Sequence, residues 1–339
     1  MGWIMQKVLV LAYHRVYPGY HIDLETFDYQ MRVLKENYVP LSLDEVHAFV
    51  KGGLRLNRDG VCITFDDGWA DNFVYAYPIL KKHGLKATVF VSTSLIRSET
   101  GVRPTLCDYW LCKISYSDLF RPMDMDYGIR ELIIRGSSDQ FMTWQELEAM
   151  KDTVSVESHG HSHACHFISP KVVGVWNARA VGRPRWLVLS GEDLPEGATL
   201  YEFGSVLAWP RYYPAEKRTE ALVDFVSRVR AELERSIAII EAHLGVRPSH
   251  LSWPFGEYAR EGVRLARELG FQSAYLTRQG DIRRGSDCYA LPRFSPPRNR
   301  KAFLMALRGT QGMLLYNSIL FGLGMWQKVK TCIHGLLSK

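Results

Sequence analysis

Two adjacent carboxylates, Asp66 and Asp67, stand between a strand-like run, Val61-Cys62-Ile63, and a helix-like run from Asn72 to Lys82. The string between them is Thr64-Phe65-Asp66-Asp67-Gly68. A strand that turns tightly into a helix is the repeating unit of α/β folds, which collect their chemistry at the C-terminal ends of the strands. Carboxylates this close repel, so a shared proton or a metal ion has to compensate. Downstream, Ser158-His159-Gly160-His161-Ser162-His163-Ala164-Cys165-His166 follows another strand-like run, Val154 to Glu157. A carboxylate pair with a histidine cluster points to a hydrolytic metal site.

The rest of the chain repeats this rhythm. Val8 to Tyr13 is a short continuous apolar strand, and Phe27, Met31, Leu34 and Tyr38 recur at helical spacing. Ser42-Leu43-Asp44-Glu45 and Thr143-Trp144-Gln145-Glu146 are capping boxes that open two short helices. A helix from Asn72 to His83 closes on Gly84, and Ala87 to Val91 is the next strand. Pro214 is expected to open a long amphipathic helix to Leu244, followed by a strand at His250–Trp253, a helix at Tyr258–Leu269 and a strand at Phe271–Thr277. Buried strands alternating with amphipathic helices predict a parallel βα architecture, an α/β class.

Two stretches interrupt it. About 97–141 mixes an expected helix, Tyr109 to Tyr116, with a Gly-Ser-Ser loop. About 167–213 carries two expected short strands, Trp186–Leu189 and Val206–Trp209, among Gly, Pro and acidic residues. Segments this long inside a compact domain are functional or form a small subdomain. The expected organisation is a barrel over 1–308 with these two insertions, and a tail over 309–339. Gly309 to Gln327 has no charged residue but holds four glycines with Gln311, Asn317 and Ser318. A membrane span of about 20 apolar residues is not expected there. The tail is read as an amphipathic helix, packed on the barrel or in peripheral contact with a membrane through Trp326 and the lysines.

Composition excludes little. At 47% hydrophobic and 23% charged, 339 residues suffice for a full core. A formal charge of +6 without a dense basic run argues against a nucleic-acid partner. Six scattered cysteines without a CxxC framework suit reduced thiols. Val8 to Ala12 lacks the flanks of a secretion signal, so a cytoplasmic protein is expected, either free or peripheral on the inner membrane face.

Among the histidines, His159 and His163 are four apart, which would place both imidazoles on one face of a helical turn, while His161 and His166 offer competing pairings. Thr64-Phe65-Asp66-Asp67-Gly68 together with Ser158-His159-x-x-x-His163 resembles the polysaccharide deacetylases, the NodB-homology domain of carbohydrate esterase family four. The resemblance implies a distorted (β/α) barrel with two inserted segments. It assigns Asp66 as general base and Asp67, His159 and His163 as ligands of a divalent metal, zinc foremost, with Co2+, Ni2+ or Mn2+ as substitutes. Ser252-Trp253-Pro254-Phe255-Gly256 is similar to the family's third motif, which implies that the Phe255 backbone N–H helps hold the oxyanion.

The chain also departs from the pattern. Ser252 stands where many members carry an arginine that tethers the base, and no Leu-x-His near the C-terminus supplies an acid. Leu11-Ala12-Tyr13-His14 resembles instead a permuted branch that includes poly-N-acetylglucosamine deacetylases, which implies His14 as general acid. Arg293, in Leu291-Pro292-Arg293-Phe294, is the candidate replacement partner of Asp66, or else an exposed residue beside prolines. Trp110, Trp186, Trp209, Tyr212 and Tyr213 in the insertions either stack on sugar faces or form the insertions' own core. The implied activity is hydrolysis of the acetamide of N-acetylhexosamine units in a polysaccharide, oligosaccharide or lipid-linked sugar. The rivals are a glycoside hydrolase pairing Asp66 or Asp67 with Glu157, and a non-catalytic glycan-binding module.

Overall fold

The computed structural model describes residues 6–309 apart from 21, 178, 180 and 193. The tail expected beyond Gly309 therefore lies outside the described residues. No helix among the described residues is long and apolar enough to cross a membrane.

The first half of the chain runs β1 (Val8–Tyr13), α1 (Leu24–Asn37), β2 (Val39–Pro40), α2 (Leu43–Val50), β3 (Gly60–Asp67), a π-helical turn (Asn72–Ala76), α3 (Tyr77–His83) and β4 (Ala87–Val91). The first insertion carries α4 (Leu106–Trp110) and α5 (Met125–Arg135), and α6 (Trp144–Ala149) and β5 (Val154–Ser158) return to the barrel. The second insertion is built on β6 (Cys165–Val175) and β7 (Thr199–Ser205), with β8 (Tyr212–Tyr213) and β9 (Arg218–Thr219) after it. The chain then continues through α7 (Leu222–Leu244), β10 (His250–Ser252), α8 (Arg260–Glu268), β11 (Ser273–Tyr275) and α9 (Arg300–Ala306).

The strands form one parallel sheet in the order β1-β3-β4-β5-β10-β11, with β2 also paired to β3. The segment 291–294 closes it, bridging Tyr275 through Leu291 and Leu11 through Phe294. Leu276 donates to the Leu291 carbonyl and Ala12 to the Phe294 carbonyl, both at 2.8 Å. The result is the expected distorted (β/α) barrel. Alternate residues of each strand face opposite sides. Val8, Val10, Cys62, Phe90 and Tyr275 pack in one cluster with Leu43, Val46 and Phe49 of α2. Leu9, Leu11, Ile63, Phe65 and Val89 pack in another, under α1 and α3. Both capping boxes form, at Ser42 with Glu45 and at Thr143 with Glu146.

The insertions differ from expectation. Residues 186–189 are not a strand: they lie in a 3₁₀ run, Arg183–Ser190, started by Pro184 and bounded by glycines. Residues 206–209 form a turn after β7. The strands are instead β6 and β7, an antiparallel hairpin whose register is broken by bulges between Phe167 and Gly174. Those bulges spoil the strict alternation that marks a strand in sequence. The expected helix at 109–116 is the single turn α4, fixed by a capping box of Thr105 with Asp108. Pro214 does not open α7: it sits in the turn of the β8–β9 hairpin, and the helix begins at Leu222. The helix expected over 72–83 starts as a π turn because Pro78 has no N–H to continue a regular ladder.

Candidate active site

Asp66 and Asp67 end β3, paired with Phe90 and Val91 of β4. Asp66 takes the same face as Thr64 and Cys62, inside the barrel, and is 1% exposed. Its carboxylate is held end-on by Arg293: Nη1 donates to Oδ1 and Nη2 to Oδ2, each at 2.7 Å. The same guanidinium donates to Ser252 Oγ at 2.8 Å, to Thr64 Oγ1 at 3.2 Å and, through Nε, to the Leu276 carbonyl at 2.9 Å. Arg293 is 1% exposed, so the flanking prolines do not leave it in solvent. Burial alone would raise the Asp66 carboxyl, but the guanidinium and the nearby His159 outweigh it and hold the group well below the usual carboxylate range.

Asp67 turns away from this pair. Its backbone is left-handed (φ 76°), a conformation that aspartate tolerates better than most residues. The next residue, Gly68, is also left-handed (φ 95°), a backbone that strains any residue with a side chain. Asp67 Oδ2 accepts from Trp69 Nε1 at 2.9 Å. Oδ1 is buried with no hydrogen-bond partner among the described residues. It faces His163 Nε2 at 3.4 Å and His159 Nε2 at 3.6 Å.

The two imidazoles do not share a helix face. Residues 159–164 form an irregular loop after β5, and left-handed backbone at Gly160 and His163 brings the rings together. α7 fixes that loop: Glu232 accepts from the His161 and Ser162 N–H groups at 3.1 Å and from Ser162 Oγ at 2.5 Å. His159 Nδ1 donates to the Ser252 carbonyl at 2.7 Å, leaving its Nε2 lone pair toward Asp67. Burial lowers both histidines, His163 to about 4, so both rings are neutral near pH 7. A buried, orphaned carboxylate oxygen beside two neutral imidazole nitrogens is a donor set that fits a divalent cation. Among the described residues, Asp67, His159 and His163 are the one group placed for this, with ligand atoms within 4.8 Å of one another.

The competing histidines lie elsewhere: His161 Nδ1 pairs with Thr93 Oγ1 at 2.8 Å, and His166 Nε2 donates to the Trp209 carbonyl at 2.9 Å. Glu157 does not join the carboxylates. It accepts from the Ser249 and His250 N–H groups at 2.8 Å and lines a different cavity, with Leu147 and Leu244.

His14, Phe255 and the Asp/His group line one cleft of about 390 Å³. Phe255 has left-handed backbone (φ 61°), its ring 4.5 Å from that of His163. Gly256 follows it, and a Cβ there would stand 2.2 Å from Thr277 Oγ1. Asp67, His163 and Phe255 are three of the five left-handed non-glycine residues among those described, a concentration of backbone strain typical of working sites.

The insertions supply the remaining lining. Trp186 is 5% exposed, with its ring 4.3 Å from that of His163, so of the five candidate aromatics it is the one in the cleft wall. Tyr212 is buried, while Trp110 and Trp209 are 43% and 46% exposed. Met125, Asp126 and Arg183 also line the cleft, and sequence reasoning missed them. Asp124 as an N-cap and Gly136 as a C-terminal stop were the available signals for α5, which carries the first two.

Residues 54–173 match the family model for polysaccharide deacetylases. Over 265 residues, 78% of this chain, the sequence is 22% identical to the poly-beta-1,6-N-acetyl-D-glucosamine N-deacetylase of Escherichia coli (strain K12), 32% of which is matched. The chain spans about a third of the length of the curated relatives it matches. Among solved structures, the de-N-acetylase from Aggregatibacter actinomycetemcomitans superposes with a TM-score of 0.59 at 19% identity, covering 87% of this chain and 96% of that one. The BpsB deacetylase domain from Bordetella bronchiseptica gives 0.57 at 21%, covering 85% and 94%. At these identities the structural likeness concerns the fold, and it spans nearly the whole barrel.

Proposed function

From its kinship to the polysaccharide deacetylases, we propose that this chain is a metal-dependent N-deacetylase that hydrolyses the acetamide of N-acetylhexosamine units in a glycan or glycolipid. One observation carries the reading: a buried carboxylate kept ionised by a two-point arginine clamp stands next to a buried Asp/His/His donor set.

Asp67, His159 and His163 would hold the cation, most simply Zn2+. Bound there, it supplies Lewis acidity and a water acidic enough to react near neutrality. Asp66 takes the proton of the attacking water, its carboxylate aimed by Arg293. The new C–O bond forms first and the carbonyl electrons move onto oxygen; the C–N bond breaks as that carbonyl re-forms, and the leaving nitrogen needs a proton. His14, in the lining of the same cleft, is the group that gives it. The Phe255 N–H takes part of the charge that develops on the carbonyl oxygen, a contribution of roughly 3–4 kcal/mol for one such donor. Products are free acetate and an amino sugar.

Acetate release from N-acetylglucosamine oligomers, with and without chelator, tests the reading for wild type and Asp66→Asn. The expected result is loss of activity on chelation, recovery with Zn2+, and a rate about 100-fold or more lower for Asp66→Asn although it still binds the metal. Full activity in chelator, or in Asp66→Asn, would refute it.

A further inference from the structure

His14 sits just past the end of its strand. β1 stops at Tyr13, paired with Phe65 of β3, and residues 14–17 have no regular structure. The sheet ladder therefore ends before His14, and other contacts fix where its backbone runs. Two consecutive residues beyond the Asp66-Asp67 turn supply them. Asp71 Oδ2 accepts from the Val16 N–H at 2.6 Å, and Asn72 Nδ2 donates to the His14 carbonyl at 3.0 Å. Asp71 Oδ1 accepts from Arg15 Nε, also at 2.6 Å. One carboxylate thus holds both backbone and side chain of the loop that carries His14.

The contacts run on to the cation site. The Arg15 guanidinium lies 4.3 Å over the Trp69 ring, and Trp69 Nε1 donates to Asp67 Oδ2. Asp71, Arg15 and Trp69 are each at most 1% exposed. His14 and Asp67 line the same cleft, and this buried series joins them through the interior. Stability alone does not account for it. Desolvation offsets most of what a buried ion pair gains, and apolar residues of similar volume often serve as well. Here Arg15 Nη2 and Asn72 Oδ1 are also buried without hydrogen-bond partners among the described residues, a further cost. What the cluster gains is fixed geometry beside the site.

We propose that Asp71 is a positioning residue: it holds His14 where the imidazole can protonate the leaving nitrogen. Asp71 itself does not line the cleft. The inference rests on the deacetylase reading and adds the group that places its acid.

Two acetyl donors separate this role from packing. The amine of an acetamide leaves only with a proton, whereas 4-nitrophenolate leaves 4-nitrophenyl acetate as the anion and needs no acid. Zn2+-saturated wild type, Asp71→Asn and the double variant Arg15→Met with Asp71→Leu are assayed on both donors, the amide being an N-acetylglucosamine pentamer. Both rates scale with the folded fraction, so their ratio is insensitive to partial unfolding. The amide-to-ester ratio should fall about tenfold or more in both variants, the scale of a misplaced catalytic group. On the pentamer the loss should lie in kcat, with KM little changed. The double variant replaces the ion pair by apolar side chains and should keep a Tm near that of wild type. A wild-type ratio in the folded double variant, or a loss on the pentamer confined to KM, overturns the positioning role and leaves the deacetylase reading standing. No acetate from the pentamer with wild type overturns both.

Discussion

Arg293 and Asp66, separated by 227 residues in sequence, meet inside the barrel as a two-point pair at 2.7 Å and 2.7 Å. Arg293→Lys keeps the charge but not the planar fork. The carboxylate loses its aim, and kcat/KM should fall about 100-fold while metal affinity holds. Arg293→Ala leaves a buried carboxylate uncompensated and should cost about 3–5 kcal/mol in urea unfolding. A lysine variant with wild-type kinetics would show that the fork is irrelevant to the base.

Asp67 Oδ1 has no hydrogen-bond partner among the described residues. Binding a cation there should stabilise the native state by about 2.7 kcal/mol at a free concentration 100 times Kd. Zn2+ should therefore raise the Tm of chelator-treated wild type and leave that of Asp67→Asn unmoved. Equal shifts in both proteins would place the binding elsewhere.

Glu232 holds the loop between the two imidazoles through three hydrogen bonds without lying in the cleft. Glu232→Ala should weaken Zn2+ binding about 10–100-fold, as loss of a ligand-orienting contact does elsewhere. Calorimetric titration of the apoprotein measures this, and an unchanged Kd would reduce Glu232 to an ordinary packing residue.

His166 and His250 lie outside the site, and burial lowers them to about 3 and about 4. In the unfolded chain both take a proton near 6.5. The unfolded state therefore binds more protons than the native state below that point, and stability falls as pH drops from about 6.5 toward 4. His166→Gln keeps a donor for the Trp209 carbonyl and removes one proton from the balance. Its Tm should fall less than that of wild type between pH 7 and pH 5. Parallel slopes would mean that this ring does not set the acid sensitivity.

The barrel was legible because buried parallel strands are short, apolar and followed by helices with strong caps, such as the Ser42 and Thr143 boxes. The insertions were not, because their structure depends on distant partners. Trp186 and Leu187 form an apolar run that fits a strand as well as a compact turn, and only α5 decides between them. At the site, the sequence motifs pointed to Asp67, His159 and His163, but the helical spacing invoked for the two histidines plays no part in their meeting. Arg183 and Asp126 carry no local signature, since an arginine or aspartate in a polar loop is usually solvated. The Arg293 contact was reachable only as a substitution for a missing arginine at Ser252, and Ser252 in fact shares that guanidinium.

The segment 291–294 both seals the last gap between β11 and β1 and carries the side chain that clamps Asp66. Completing the architecture and clamping the proposed base are thus a single event. A nascent or clipped chain ending before Leu291 would keep every other residue assigned to the reaction, yet its base would lack the clamp. Under the proposed reading, hydrolytic competence would double as a proofreading mark that the final stave of the barrel is in place.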